Sequence, residues 1–307
     1  MIVTVTLDPA LHVQYQAERI AWGGSNQVRR VRHRAGGRGL AVARVLHTFG
    51  HDVMAAGLAG GTAGELLRSE LAAAGVATQF TRIAMESRRV VEVRDGSRQD
   101  ATTFSEPAPY ITTEELGRLA ADYRALLDGA SAAVLCGGLP SGLPAETYAS
   151  LASYAAEAGV PVVLDAGGEV LRHALGRRPA LAIPEDGESA DPAAAVAAGA
   201  SAAAVLSGGE VQVATGDGRW LAQLARPLGP GELGRPASGP CPAEAWPSGW
   251  RDALVAGFVP GIVLGWSWPE SLVHAVAMAT AAGQDGEIDL VRYESQLAAV
   301  RVREAAS

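Results

Sequence analysis

The sequence predicts an α/β protein in which a parallel sheet lies between layers of helices, with a smaller set of strands beside it. From Thr112 onward, short patterns typical of buried strands alternate with segments of helical periodicity, which is the order of βαβ units. Residues 9–34 are instead polar, arginine-bearing and poor in helical periodicity, and the run 88–104 has the alternation of a hairpin. These two segments are predicted to form an exposed flap.

The elements follow from local patterns in chain order. Apolar alternation predicts strands, spacing of three and four residues predicts helices, and the Thr112–Glu115 run resembles a capped helix start. In the first half we expect a strand over 2–7, a helix over 40–46, a strand over 52–57, a helix over 63–74 and a strand over 76–83. In the second half we expect strands over 132–135, 160–164, 180–183 and 202–206, an antiparallel edge hairpin over 211–224, a long loop over 227–247, and helices over 252–260, 270–283 and 291–304.

The composition favours a protein that acts on small molecules. Its 307 residues are 48% hydrophobic, carry a formal net charge of −8 and contain no basic run, which argues against a nucleic-acid partner. No stretch of about 18 apolar residues predicts a membrane span, and the N-terminus lacks the pattern of an export signal. Two cysteines, Cys136 and Cys241, have no zinc-type spacing and suit a reducing cytoplasm.

One compositional bias affects how substitutions are interpreted. All 25 basic residues are arginine, and Asn26 is the only asparagine. An arginine at a site where lysine is expected, or a missing asparagine, is therefore weaker evidence for lost function than it would be in a chain of ordinary composition.

The stretch 245–258 carries the strongest candidate for a catalytic base. A Pro-Ser-Gly loop leads into an apolar segment with helical spacing, so Gly249 to Asp252 are predicted to lie at a helix N-terminus. Unpaired N–H groups and the positive end of the helix dipole make that position an anion site, where a carboxylate is expected to stay ionised. From this segment alone, Asp252 is either a base for a substrate hydroxyl or a cap of the helix.

Several further motifs complete a resemblance to a known family. The chain resembles the ribokinase-like carbohydrate kinases, specifically the phosphofructokinase B (PfkB) branch of 1-phosphofructokinases and tagatose-6-phosphate kinases, over nearly its whole length. The segments that carry the resemblance are Thr4–Leu11, Gly36–Gly39 with Val42–Leu46, Ser105–Pro107, Gly138–Gly142 and Asp252–Phe258.

The resemblance implies a single ribokinase-like domain over 1–307, with a three-layer αβα core and a small β-sheet lid. The lid would comprise 9–34 and 86–108, and the core 1–8, 35–85 and 109–307. It further implies Mg²⁺-dependent transfer of the ATP γ-phosphoryl group to a hydroxyl of a sugar or sugar phosphate, and a homodimer formed through the lid.

The same resemblance assigns roles to residues at matching positions. Asp252 would be the base, at the end of an anion loop formed by Gly249, Trp250 and Arg251. The substrate site would comprise Asp8, His12, Gly36, Gly37, Arg38, Ala41, Arg88 and Gly138. The nucleotide would lie near Glu185, Ser207, Gly208 and Gly209, and magnesium near Glu185 and Glu188.

Departures from the family pattern are concentrated in this site. Trp250 and Arg251 replace small residues of a Gly-Ala-Gly loop, and their side chains are expected to project into a loop that works through bare backbone. Arg251 could instead anchor a phosphate. His12 stands where the family has an aspartate, and Ala41 where it has an asparagine. The alternatives left open are a working kinase with a modified pocket, a catalytically impaired sugar- or nucleotide-binding or regulatory protein, and another ribokinase-fold activity such as nucleoside phosphorylation.

Overall fold

The computed structural model describes residues 1–98, 100–185, 191–207, 210–224, 249–283 and 287–305. The strands are β1 (Ile2–Thr6), β2 (Ala10–Ala17), β3 (Arg30–Gly36), β4 (Val53–Ala59), β5 (Ala77–Arg82), β6 (Arg89–Asp95), β7 (Asp100–Ser105), β8 (Ala132–Cys136), β9 (Val162–Ala166), β10 (Leu181–Pro184), β11 (Ala202–Ser207), β12 (Glu210–Thr215), β13 (Arg219–Leu224) and β14 (Val300–Glu304). The helices are α1 (Arg38–Thr48), α2 (Gly61–Ala73), α3 (Thr113–Leu127), α4 (Thr147–Glu157), α5 (Gly168–Leu175), α6 (Pro192–Ala197), α7 (Trp250–Leu264), α8 (Trp268–Ala281) and α9 (Leu290–Leu297).

The main sheet has ten strands in the order β14-β13-β12-β11-β10-β9-β8-β1-β4-β5. From β11 to β5 all neighbouring strands are parallel, and β12, β13 and β14 extend the sheet with antiparallel pairs. In chain order, β4 and β5 are added on one side of β1, and β8, β9, β10 and β11 are added later on its other side. The order therefore reverses between β1 and β8, which is where doubly wound sheets bind ligands, at the carboxyl ends of the strands.

Alternating side chains of the sheet supply two hydrophobic cores, one on each face. In β8, Ala132 and Val134 belong to one core while Ala133 and Leu135 belong to the other, as the two-residue period of a strand requires. Helices α1, α2, α7 and α8 contribute to the first core, and α3, α4 and α5 to the second. Both faces are covered, so the predicted α/β layering is confirmed.

The second sheet has four strands in the order β3-β2-β6-β7. Strands β2 and β3 come from the first predicted flap segment, and β6 and β7 form the predicted hairpin. A parallel pair of β2 with β6 joins the two segments. The capped start of α3 is also confirmed, because the Thr112 hydroxyl accepts from the N–H of Glu115 while the Glu115 carboxylate accepts from the N–H of Thr112.

Two predictions near the C-terminus are wrong. A single helix over 291–304 was expected, but α9 ends at Leu297 and β14 follows it. The Val300-Arg301-Val302-Arg303 alternation has the period of a strand, Val300 is buried, and the segment pairs with β13. The hairpin of β12 and β13 is consequently an interior part of the sheet rather than its edge.

No helix in the described ranges is long and apolar enough to cross a bilayer.

Gly57 holds the contact between β4 and β1 and is expected to tolerate no side chain. Its φ is +146°, and an added Cβ would lie 1.9 Å from the carbonyl oxygen of Thr6. We expect Gly57→Ala to destabilise the protein by about 2 kcal/mol through overpacking and backbone strain. Gly117→Ala, in α3 with no atom within 4 Å of the added carbon, is the matched control and should be neutral or stabilising. Thermal unfolding of both variants measures the difference, and an unchanged Tm for Gly57→Ala would contradict it.

Candidate active site

A cleft of about 1680 Å³ lies where the small sheet approaches the carboxyl ends of β1 and β8. It opens at the reversal point of the strand order, as expected for a doubly wound sheet. The structure brings most of the sequence-predicted site residues to its wall. Those lining it are Asp8, His12, Gly36, Gly37, Arg38, Ala41, Arg88, Gly138, Gly249 and Asp252.

Asp252 reaches the cleft from the first turn of α7. Gly249 is the N-cap residue with φ +78°, a left-handed conformation that glycine adopts without strain. Helix α7 begins at Trp250 with no side-chain cap, so the interpretation of Asp252 as a capping residue is wrong. Residues 250–252 form the first turn of α7, at the positive end of its helix dipole.

Trp250 and Arg251 do not project into the cleft, which corrects the expectation that they fill the anion loop. Trp250 is partly buried and packs against the first hydrophobic core. The Arg251 guanidinium turns toward the sheet, where it donates to the carboxylate of Asp165 and to the carbonyl oxygens of Ile183 and Pro184. Neither residue lines the cleft, whereas Gly249 and Asp252 on either side of them do.

A buried charge cluster lies below Asp252. Asp165 lies one residue before the end of β9, has an exposed fraction of 0% and contacts Arg251 at 2.8 Å and Arg38 at 3.3 Å. Arg38 also contacts Glu185 at 3.1 Å. Two guanidinium groups therefore neutralise a carboxylate that could not otherwise be buried.

The carboxyl of Asp252 titrates far from its ordinary range. Burial and, after it, the nearby Asp165 carboxylate raise its pKa to about 7, and Arg38 and Arg251 oppose the shift. The expectation that this carboxylate stays ionised does not hold near neutral pH, because desolvation and a like charge outweigh the helix dipole. A carboxyl with a pKa near 7 can exchange protons at physiological pH, which suits a general base.

On the opposite wall, Asp8 and Arg88 bind each other. The Arg88 Nε lies 3.0 Å from both carboxylate oxygens of Asp8. His12 is exposed to the cleft and lies over Gly36, where an added Cβ would sit 2.3 Å from its Nε2. Desolvation of the ring and, after it, the charge of Arg88 lower the pKa of His12. The ring is therefore neutral near pH 7 and can accept a hydrogen bond.

The glycine turn before α1 permits a close approach of backbone to the cleft floor. Gly37 is the N-cap of α1 at φ +136°, and a Cβ there would meet the Thr6 methyl at 2.6 Å. Ala41 lies one turn further along α1, and Gly138 lies opposite, after β8. The turn therefore requires glycine for conformation and for space, and it presents backbone rather than side chains to a ligand.

The predicted nucleotide and metal positions are only partly visible. Ser207 ends β11, whereas Gly208, Gly209 and Glu188 lie outside the described residues. Among the residues that are described, no group of three or more His, Cys, Asp or Glu side chains is arranged to hold a metal ion. Glu185, with 43% of its side chain exposed and one contact to Arg38, fits an ion that keeps most of its water shell, as Mg²⁺ does, rather than an enclosed metal site.

Asp165 lies in this site but was not among the predicted site residues, although it directly follows the predicted strand over 160–164. The signal was available, because a carboxylate at the carboxyl end of a buried parallel strand faces the ligand edge of the sheet. What the sequence did not show is that Arg38 and Arg251, far apart in the chain, both converge on it.

The architecture defines the class of protein, and sequence comparison defines the family. An αβα core with a small separate sheet beside its carboxyl edge is the ribokinase-like fold. The profile of the pfkB family of carbohydrate kinases matches residues 6–211, more than half of the chain. The protein therefore belongs to the PfkB family and is a carbohydrate kinase by class. Asp252 lies beyond the matched residues, so its role is inferred from its position in the structure.

Solved structures of similar fold cover nearly the whole chain. A putative phosphofructokinase from Staphylococcus aureus has a TM-score of 0.81 at 24% identity, covering 99% of each chain. A possible 1-phosphofructokinase from Thermotoga maritima has a TM-score of 0.79 at 20% identity, covering 100% of each. Phosphofructokinase-2 from Escherichia coli, solved with potassium, has a TM-score of 0.81 at 22% identity, covering 97% of this chain and 98% of its own. At these identities the similarity establishes the fold.

Proposed function

We propose that the protein transfers the γ-phosphoryl group of ATP to a hydroxyl of a sugar or sugar phosphate, with Asp252 as the general base. The observation that carries this proposal is the position of Asp252, a carboxyl with a pKa of about 7 at the N-terminus of α7, on the wall of the cleft. Phosphoryl transfer requires a positioned hydroxyl, a group to take its proton and fixed positive charge beside the phosphate. One turn of helix α7 supplies the second and third of these requirements.

In this mechanism the hydroxyl oxygen attacks the γ-phosphorus as its proton passes to Asp252, and the bond to the β-phosphate oxygen breaks to release ADP. The N-terminus of α7 directs the positive end of the helix dipole at the phosphate. Because Trp250 and Arg251 are turned away from the cleft, the side chains that argued for an impaired protein do not occupy this space. The kinase interpretation is therefore favoured over that of a binding or regulatory protein.

The substrate would be held between Asp8, His12 and the glycine turn. The Asp8 carboxylate accepts hydrogen bonds from sugar hydroxyls, and its pair with Arg88 holds it in a fixed orientation. A phosphate on the sugar would compete with Asp8 for Arg88, whose guanidinium can bind oxygens bidentately. Mg²⁺ bound to the nucleotide phosphates would neutralise their charge, with Glu185 holding its water shell and Arg38 beside it.

The pH dependence of catalysis tests the ionisation of Asp252. A base must be deprotonated, and its pKa is raised to about 7, so kcat/KM is expected to rise with pH on the acid side with a midpoint near 7. Because a sugar phosphate itself titrates near pH 6, the profile should be repeated with kcat at saturating substrate. A flat profile down to about pH 5 would contradict the assignment.

ADP release measured with a panel of acceptors tests the function itself. We expect turnover with at least one of fructose 1-phosphate, fructose 6-phosphate, tagatose 6-phosphate or an unphosphorylated sugar, above the rate of ATP hydrolysis alone. If ATP binds in calorimetry but no acceptor is phosphorylated, the binding-protein interpretation holds instead. Turnover only with nucleosides would support the third interpretation.

A homodimer formed through the small sheet remains part of the proposal. Val31 and Phe104 lie on the same face of that sheet and are 47% and 55% exposed. Exposed apolar side chains on a single sheet face are typical of a subunit contact. Light scattering should give twice the chain mass of 31.5 kDa, and Phe104→Glu should return it to the monomer value.

A further inference from the structure

Arg251 connects three elements beneath the proposed catalytic base. Its side chain is 12% exposed. Its Nε and Nη2 donate to one oxygen of Asp165 at 3.0 and 2.8 Å, and Nη2 also donates to the carbonyl oxygens of Ile183 at 3.1 Å and Pro184 at 2.6 Å. Arg251, in the first turn of α7, is thereby hydrogen-bonded to residues near the carboxyl ends of β9 and β10.

We propose that Arg251 is a positioning residue, which fixes the first turn of α7 on the sheet so that Asp252 and the positive end of the helix dipole face the transferred phosphate. The inference rests on the proposed phosphoryl transfer and assigns Arg251 no contact with substrate. Asp252 follows Arg251 directly in the chain, so an arginine held by the ends of two strands restricts the backbone that carries the base. A displacement of about 1 Å can cost a catalytic site as much as about 100-fold in rate.

Arg251 also controls the electrostatic environment of Asp252. The groups that act on the Asp252 carboxyl are Asp165 on β9, Arg38 on α1, Arg251 itself and the Cys136 thiol on β8. Asp165 is fully buried and is shared by the two arginines. Without Arg251, Arg38 alone would neutralise it, and more of its negative charge would act on Asp252. Ionisation of the base would then require a higher pH.

The geometry distinguishes this role from that of a phosphate anchor. The Arg251 fork is directed at Asp165 and at two main-chain carbonyls, and Arg251 is not among the residues that line the cleft. To reach a phosphate it would have to leave a buried carboxylate, which is costly. A phosphate anchor contributes to ATP binding and affects KM, whereas a positioning residue affects kcat.

The test compares Arg251→Met and Arg251→Lys with Arg303→Met, the same loss of charge on an exposed edge strand. For Arg251→Met we expect kcat to fall at least about 10-fold, KM for ATP to stay within about threefold, and the acid limb of kcat/KM to move to higher pH. Arg251→Lys keeps the charge but not the fork, so its acid limb should lie nearer that of the wild type while kcat stays low. Arg303→Met should match the wild type.

Unchanged kcat and pH profile in Arg251→Met would overturn the proposal, as would a 10-fold rise in KM for ATP at constant kcat. If Arg251→Met does not fold, the double variant Arg251→Met/Asp165→Asn removes both charges of the pair. This double variant should fold and have a low kcat. A kcat equal to that of the wild type would overturn the proposal. If the wild type shows no kinase activity, the proposed function fails separately. In that case, Tm is measured against pH for the wild type and for Arg251→Met, each beside the same protein carrying Asp252→Asn. The Tm difference within each pair reports the titration of Asp252, and its midpoint should lie at a higher pH for Arg251→Met than for the wild type. Equal midpoints would overturn the inference.

Discussion

Asp252→Asn is expected to lower kcat by about 10²–10⁴-fold while leaving the binding of ATP nearly unchanged. The amide has the same shape as the carboxyl and stays at the N-terminus of α7, but it cannot accept the hydroxyl proton, and the loss is that of general base catalysis. Steady-state kinetics with the preferred acceptor measure the effect. The acid limb of the pH profile should disappear with the base, whereas a kcat within about threefold of the wild type would exclude Asp252 from that role.

The same substitution is expected to stabilise the fold at alkaline pH. Burial and Asp165 raise the pKa of Asp252 to about 7 from an ordinary value of 3.8. The folded state therefore favours the protonated form, and its stabilising contribution is present below pH 4 and lost as pH rises through 7. Asparagine stays neutral, so the Tm of Asp252→Asn should exceed that of the wild type at about pH 8 and approach it at about pH 5. A lower Tm at both pH values would contradict the buried-charge explanation.

The second large effect is expected from Asp165→Ala. Asp165 is fully buried, and its removal leaves the guanidinium groups of Arg38 and Arg251 at the sheet edge without their shared carboxylate. Loss of one member of a buried ion pair costs about 3–5 kcal/mol. For a protein of this size that corresponds to a fall in Tm of roughly 6–20 °C.

Asp217→Ala is the matched control for Asp165→Ala. Asp217 is exposed in the turn between β12 and β13, and only its backbone N–H makes a hydrogen bond there, to Thr215. Its substitution is expected to change stability by less than about 0.5 kcal/mol. Equal Tm values for the two variants would show that the buried cluster contributes little to the fold.

The sequence predicts the layers of this fold because each layer follows from a local period. The alternation of buried strands with helical segments specified the layers on the two faces of the sheet, and the Thr112–Glu115 motif specified the start of α3. The C-terminal segment failed for a local reason as well. Val300 to Arg303 has a strand period, but it follows a helix so closely that the two were merged into one predicted element.

The site was less predictable because it depends on the directions of side chains rather than on spacing. A tryptophan in place of a small residue in the anion loop suggests obstruction, but the structure shows that the Trp250 ring packs against the core. From the sequence, Arg251 suggests a phosphate anchor, but in the structure its guanidinium donates to the carboxylate of Asp165. The shift of the Asp252 pKa likewise depends on the carboxylate of Asp165, which lies 87 positions earlier in the chain.

Transfer of labelled phosphate from [γ-³²P]ATP to the acceptor, in the wild type and in Asp252→Asn side by side, tests the central claim most directly. We predict that the label appears in the sugar product with the wild type and that its rate of appearance falls about 10²–10⁴-fold in the variant, with ATP still bound by both. Equal rates in the two proteins would show that Asp252 is not the base. No labelled product from the wild type with any acceptor, despite bound ATP, would show that this cleft does not perform the proposed transfer.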